Sequence, residues 1–210
     1  MIRFPVRAVT LACLLAAFPA AETAAGPATD QLKGAVEGVV KVLGEPGARE
    51  VDRRVAVRKI ANDIFDFVEL ARRALGRHWQ PLTDAQREEF TALFSDLIER
   101  SYIAKLELYG GERIAYASER VDGDVATVAT RIITKNRTEV PIDYRLLRKG
   151  DRWLVYDVSI EGVSLVASYR TQFNKIIQTA SYTELVQKLK AKQDELAAEA
   201  NGKKAAPSSP

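Results

Sequence analysis

A change in the spacing of apolar residues near position 111 constrains the fold of this chain more than any other feature. Before it, apolar side chains recur every three or four residues, as in a helix; after it, they alternate with polar ones, as in a strand. Turn-forming sequences at 121–124, 135–136 and 149–151 divide residues 112–160 into four short segments. Consecutive strands joined by such turns pair side by side, so the sequence predicts an antiparallel four-stranded meander.

Helical spacing occurs on both sides of the predicted sheet. Helices are expected within residues 26–49, 55–75, 83–110 and 163–177, and from 182 onwards. The third of these begins with a capping box, because Thr83 is followed three residues later by Gln86. The order of helices, sheet and helices predicts an α+β domain with helices packed on one face of the sheet.

The first 25 residues have the layout of a secretory signal peptide. Arg3 and Arg7 precede an apolar run at 8–20, and small residues follow it. The run is too short to span a membrane, since a spanning helix needs about 20 residues. It contains Cys13, but "TLAC" lacks the large aliphatic residue that a lipid-anchor signal has three positions before its cysteine. We therefore expect export without a lipid anchor.

The remaining chain is expected to form a single domain at 26–197, followed by a disordered tail at 198–210. Because Cys13 is the only cysteine, this domain has no disulfide, thiol nucleophile or cysteine-ligated metal. The chain has 31 basic and 28 acidic residues, so its formal net charge is only +3, and the two signs are interspersed. This pattern is typical of a mixed-sign surface and does not predict a nucleic-acid partner.

Few residue patterns in this sequence can carry catalysis. His78 is the only histidine, so a catalytic triad could be built only around it, and no nucleophile elbow accompanies it. The sequence also contains neither a glycine-rich phosphate loop nor a regular metal-binding loop. We therefore predict that the protein uses no metal and no cofactor.

Carboxylates leave one catalytic alternative open, a small cavity enzyme such as an isomerase or hydrolase. Asp143, Asp157 and Glu161 lie in or beside apolar strands, where burial would raise the pKa of a carboxyl group. Asp143 alternates outward from an apolar face, and Asp157 is predicted to share a face with Trp153, so structural roles are favoured. The enzyme alternative requires Asp143 or Asp157 to point into a cavity. A third possibility is a structural or adaptor protein, which predicts a closed core without a cavity.

Four motifs occur in an order that is typical of one family: "FDFVELARRALGRHW" (65–79), "LTDAQREEFTALFSDLIERSY" (82–102), "WLVYDVSIEGVSLVASYRTQFNKII" (153–177) and "LVQKLKAK" (185–192). Together they closely resemble the MlaC family of periplasmic phospholipid-shuttle proteins, also called the toluene-tolerance auxiliary family. The resemblance covers roughly residues 30–192.

The resemblance implies a curved antiparallel sheet of the NTF2-like kind, with helices packed against it and an apolar cavity that holds acyl chains. It implies a periplasmic carrier, not an enzyme, that shuttles phospholipid between outer and inner membranes and is most simply a monomer. The implied partners are an inner-membrane ABC transporter with MCE domains and an outer-membrane lipoprotein–porin complex. One branch of the family is associated with hopanoid biosynthesis, so a hopanoid or other polycyclic lipid is an alternative cargo.

Apolar side chains on the sheet and on the helical stripes are the candidate lipid wall. The expected lipid contacts are Phe94, Ile98, Val128, Ile132, Ile142, Tyr144, Tyr156, Val158, Val163, Val166, Tyr169 and Phe173. Because a stripe of this kind also forms an ordinary core, the sequence alone leaves open whether these side chains enclose a cavity or pack against one another.

Overall fold

The computed structural model describes residues 26–106 and 109–205, with side chains over 26–102 and 109–198. The expected signal peptide and residues 206–210 of the expected tail lie outside the described residues. None of the described helices is long and apolar enough to cross a membrane.

Six α-helices and five strands make up the described chain. The helices are α1 (Pro27–Leu43), α2 (Glu50–Ile64), α3 (Phe67–Leu75), α4 (Asp84–Leu106), α5 (Leu165–Thr179) and α6 (Tyr182–Ala205), and the strands are β1 (Arg113–Asp122), β2 (Val125–Ile133), β3 (Glu139–Lys149), β4 (Arg152–Ile160) and β5 (Val163–Ser164). Helix α6 continues past residue 197 into the segment that we expected to be disordered, because alanine and glutamate there favour a helix.

The sheet is antiparallel, with its strands in the order β1-β2-β3-β4-β5, so the predicted α+β fold with a meander is confirmed. The fifth strand was not predicted. Glu161 and Gly162 both have positive φ angles, of 51° and 80°, and this two-residue turn folds Val163 back against Ile160. Val163 was expected on a helix and lies instead in β5.

The helical segment expected over 55–75 is divided into α2 and α3. Between them Phe65 is extended, and the Asp66 backbone N–H donates to the Val155 carbonyl at 2.8 Å. The Asp66 carboxylate then accepts a hydrogen bond from the Glu69 backbone N–H at 3.1 Å, which caps the amino end of α3. Asp66 also forms an ion pair with Lys149. Asp66, which the prediction placed inside a helix, therefore caps the start of α3 instead.

A β-bulge in β4 changes which side chains share a face. Arg145 of β3 pairs with Asp157, but the next residue, Leu146, pairs with Val155, which leaves Tyr156 as the extra residue. Because side chains alternate along a strand, the bulge reverses the faces on its two sides. The prediction that Asp157 shares a face with Trp153 is wrong for this reason.

Two groups of buried side chains hold the domain together. The first joins α3, α4, α5 and α6 around an aromatic cluster of Phe90, Phe94, Tyr169 and Phe173, whose neighbouring ring centroids lie 5.0–5.7 Å apart. The second packs the start of α1 against the sheet. Phe65 packs against both groups, and members of both line an open space between the sheet and the helices.

Candidate functional site

A cavity of about 650 Å³ lies between the sheet, the α1–α2 pair and the helices α4 and α5. Its helical wall consists of Leu32, Ala35, Val36, Val39, Val40 and Leu43 from α1, Val57, Ile60, Ala61 and Ile64 from α2, Ile98, Glu99 and Tyr102 from α4, and Leu165, Ser168, Tyr169 and Gln172 from α5, with Phe67 at the start of α3. Ile114, Ile132, Ile142, Tyr144, Val158, Ile160 and Val163 from the sheet complete it, together with Phe65 and Tyr109.

The α1 wall follows directly from helical spacing. Leu32, Val36, Val39 and Leu43 are separated by four, three and four residues, so one apolar stripe runs along the helix and faces the sheet. The first half of this stripe is packed against the sheet, where Leu32 belongs to the second core group and Val36 packs against it. Further along, Val39 and Leu43 line the cavity and do not belong to that core group.

The sheet wall is built from cross-strand neighbours. Tyr144 pairs with Val158 in adjacent strands, and Ile142 pairs with Ile160, so all four side chains project from the same side of the sheet. The bulge at Tyr156 brings Val158 and Ile160 into this register. The β4 bulge thus determines which residues of the strand reach the cavity.

The structure brings some of the predicted contacts to the cavity and leaves others in the packed interior. Ile98, Ile132, Ile142, Tyr144, Val158, Val163 and Tyr169 line the cavity. Phe94, Val128, Tyr156, Val166 and Phe173 are buried but do not belong to the lining. Phe94 and Phe173 pack in the aromatic cluster, and Tyr156 packs beneath the Arg73 guanidinium, which lies 4.0 Å from its ring centroid.

Sequence reasoning missed the contribution of α1 and α2. The stripe from Leu32 to Leu43 was recognisable as amphipathic, but its spacing is equally typical of a helix that packs onto a closed core. Nothing in the spacing specifies which of these side chains pack in the core and which line the cavity. The spacing of these residues therefore indicated a buried helix face but did not indicate a cavity.

The cavity reaches solvent beside the β4–β5 turn. Among the lining residues, Ile160 is 37% exposed and Val163 is 64% exposed, and Gln172 on α5 is exposed as well. Exposed aliphatic side chains that continue into an apolar interior mark a place where an apolar ligand can enter. We call these three residues the rim.

Glu99 is the only charged side chain among the described lining residues. It is 8% exposed, and Arg58 Nε on α2 lies 2.6 Å from its Oε2 atom. Burial raises the pKa of Glu99, the charge of Arg58 opposes that increase, and Asp96 adds to it. This carboxylate is the one place where the apolar lining meets a network of charges.

Three tyrosines of the wall are held in their uncharged form by burial. Burial raises the pKa of Tyr102, Tyr144 and Tyr169 above the usual value for a phenol. The Ser168 hydroxyl donates to the Ser164 carbonyl at 2.8 Å, and the Tyr109 hydroxyl donates to the Glu112 carbonyl at 2.8 Å. Because these two hydroxyl groups donate to backbone carbonyls, their hydrogen-bonding needs are met within the protein and the cavity surface stays largely apolar.

Neither carboxylate of the enzyme alternative lines the cavity. Asp157 is buried, and its oxygens accept hydrogen bonds from the Ser164 hydroxyl at 2.7 Å and from the Val166 backbone N–H at 3.1 Å. Asp143 and Glu161 are also outside the lining. His78 lies elsewhere, with Nε2 2.9 Å from Asn174 Oδ1. Within the described residues, no group of histidine and carboxylate side chains could hold a metal ion.

Comparisons with known proteins agree with the fold. A sequence model of the family described as "MlaC protein" matches residues 33–191. The toluene tolerance protein Ttg2D of Pseudomonas putida is 25% identical over 177 residues, which cover 80% of this chain and 81% of that protein. A solved structure of a phospholipid-binding protein from Ralstonia solanacearum, in complex with a phospholipid, superposes with a TM-score of 0.73 at 28% identity, covering 81% of this chain and 98% of that one.

Proposed function

Because this chain belongs to the MlaC family, we propose that it is a periplasmic lipid carrier that holds the acyl chains of a phospholipid in the cavity between the sheet and α1, α2, α4 and α5. The observation that carries the proposal is the cavity itself, which is apolar except for Glu99, Ser168, Gln172 and tyrosine hydroxyls. The complex of the Ralstonia solanacearum protein with a phospholipid supports the choice of cargo.

The size and chemistry of the cavity suit this cargo. Ligand sites of about 300–1,000 Å³ bury most of the surface of a bound molecule, and a volume of about 650 Å³ falls within that range. Removing acyl chains from water is worth about 0.8 kcal/mol per methylene, so two chains of ordinary length involve on the order of 20 kcal/mol. A lipid therefore needs such a container to cross an aqueous compartment.

Transport also requires that the lipid can leave. An apolar wall gives the chains an environment close to that of a bilayer, so transfer between protein and membrane is nearly balanced in free energy. We propose that this exchange serves movement of phospholipid between the two membranes, with an inner-membrane MCE-domain ABC transporter and an outer-membrane lipoprotein–porin complex as partners. The family membership and the likeness to the Pseudomonas putida protein support this assignment.

The proposed lipid contacts are the lining residues of the sheet and of the two helix pairs. Val158 on β4 lies in the sheet wall beside Tyr144 and is only partly buried, so a larger side chain there would occupy the cavity. Val121 on β1 is 50% exposed and is outside the lining, which makes it a matched control on the same sheet.

The test is phospholipid uptake by delipidated protein from vesicles. The unmodified protein should take up phospholipid, Val158→Trp should reduce uptake at least fivefold, and Val121→Trp should behave as the unmodified protein. Equal uptake by both variants would show that the lipid does not occupy this cavity. Circular dichroism on each variant establishes that it is folded.

A further inference from the structure

A chain of alternating charges lies where α2 and α4 meet at the cavity wall. Arg58 Nε on α2 is 2.6 Å from Glu99 Oε2 on α4, and Arg58 Nη2 is 3.9 Å from Asp96 Oδ1. Arg100 Nε is in turn 2.7 Å from Asp96 Oδ2. Acidic and basic side chains therefore alternate along this cluster, which we call the α2–α4 charge cluster.

The cluster extends from the cavity wall to the protein surface. Glu99 lines the cavity and its side chain is 8% exposed, whereas the Arg58 side chain is 46% exposed. Holding a carboxylate against an apolar lining costs free energy unless a partner compensates its charge. An amphiphilic ligand whose chains lie in the cavity therefore has paired charges and the solvent-exposed Arg58 guanidinium next to this wall.

Resting on the proposed function, we propose that the α2–α4 charge cluster binds the head group of a zwitterionic phospholipid, with Arg58 on the phosphate and Glu99 and Asp96 on the ammonium group. A guanidinium has five donors in a fixed fork that matches phosphate oxygens. The 3.9 Å separation from Asp96 is too long for a hydrogen bond, so the Nη side of Arg58 can bind the phosphate while Nε remains on Glu99.

The balance of charges distinguishes this head group from others. Glu99 and Asp96 offset Arg58 and Arg100, so the cluster has a net charge of zero when all four are ionised. A purely anionic head group would meet the two carboxylates as well as the guanidinium. A zwitterionic head group pairs with the carboxylates as well as with the guanidinium. Its ammonium group favours the ionised form of Glu99 and so opposes the effect of burial, which raises the pKa of this residue.

The rim is less suited than the α2–α4 charge cluster to binding the phosphate of the head group. Ile160 and Val163 are apolar, and the turn between them contains the exposed Glu161. A phosphate at that place would approach an acidic side chain, which raises its free energy. The basic partner that a phosphate needs is present at Arg58.

The experiment offers delipidated protein vesicles that contain phosphatidylethanolamine, phosphatidylglycerol and diacylglycerol in equal amounts with identical acyl chains. Lipid recovered with the protein is then quantified by mass spectrometry. We expect phosphatidylethanolamine to be enriched over both competitors. A hydrogen bond to a charged group contributes about 1.5–3 kcal/mol, so Arg58→Gln should reduce its enrichment over diacylglycerol about tenfold or more. Glu99→Gln should instead reduce its enrichment over phosphatidylglycerol.

Arg148→Gln is the matched control. Arg148 forms an ion pair with Asp124 at 2.8 Å, is 52% exposed and is outside the lining, so its substitution removes the same charge without touching the cavity. Its lipid selectivity should equal that of the unmodified protein. Uptake of all three lipids in equal amounts by the unmodified protein would overturn the head-group site and leave the carrier function intact. An equal loss of all three lipids in Arg58→Gln would assign Arg58 a purely structural role, and no uptake of any lipid would overturn the carrier function itself.

Discussion

Asp157 on β4 and Val166 on α5 are joined by a buried hydrogen bond, in which the Val166 backbone N–H donates to the carboxylate at 3.1 Å. The second carboxylate oxygen accepts from the Ser164 hydroxyl at 2.7 Å, and Ser164 in turn accepts from the Ala167 backbone N–H. The Asp157 carboxylate thereby accepts a hydrogen bond from the amino end of α5 and places a negative charge there. Helix α5 forms one wall of the cavity. The group that sequence reasoning considered as a catalytic base has a structural partner at each oxygen.

The Asp157 contacts predict a loss of stability rather than of a catalytic step. Asp157→Ala leaves the Val166 N–H buried without its acceptor, so the free energy of unfolding should fall by about 1–3 kcal/mol. Denaturant unfolding monitored by circular dichroism measures it. Asp143→Ala, on the neighbouring strand and less buried, is the comparison and should change stability by less than about 1 kcal/mol. Equal effects of the two substitutions would contradict the assigned role of Asp157.

The division between packed and lining residues can be tested by truncation. Phe173 is 4% exposed and contacts Phe90 and Phe94 at centroid distances of 5.6 and 5.2 Å, so Phe173→Ala should reduce the free energy of unfolding by about 3–5 kcal/mol. Val158 is only partly buried and lines the cavity, so Val158→Ala should cost about 1 kcal/mol in delipidated protein. Comparable costs would mean that Val158 is packed as tightly as the aromatic cluster.

Sequence periodicity predicted the secondary-structure elements better than it predicted which side chains pack in the core and which line the cavity. The strand segments and the capping box at Thr83 follow from local chemistry, and the structure contains both, with the Thr83 backbone N–H donating to Gln86 Oε1 at 2.9 Å. The bulge at Tyr156 depends on the register of β4 against β3, which is a tertiary property. Whether an apolar stripe packs or bounds a cavity depends on the distance between elements, and no local spacing encodes that distance.

Acid should destabilise the protein through Glu69. Arg72 Nε and Arg73 Nε lie 2.7 and 2.6 Å from its carboxylate oxygens, and the hydrogen bond from Arg72 is the largest cause that lowers the pKa of Glu69 in the folded state. A carboxyl group whose folded pKa is lowered contributes stability above its unfolded pKa, and this contribution is lost as the pH falls through the folded pKa. Unfolding at pH 7 and pH 3 should therefore differ more for the unmodified protein than for Glu69→Gln.

Asp84→Asn provides the control for this pH effect. Asp84 also pairs with an arginine, Arg87, at 3.0 Å, but its side chain is 98% exposed and solvent screens the interaction. The substituted protein should retain the pH dependence of the unmodified one. If Glu69→Gln retained it as well, the acid sensitivity would arise from another carboxyl group.

The proposed cargo of the cavity between the sheet and the helices is a phospholipid, held by its acyl chains. Solvent extraction of the purified protein, followed by mass spectrometry, measures this most directly, because a container of this apolarity should retain lipid through purification. We predict that phospholipid is recovered in an amount comparable to that of the protein, and that Val158→Trp carries far less. A polycyclic lipid in its place would change the cargo, while protein that neither carries lipid nor takes it up from vesicles would contradict the account.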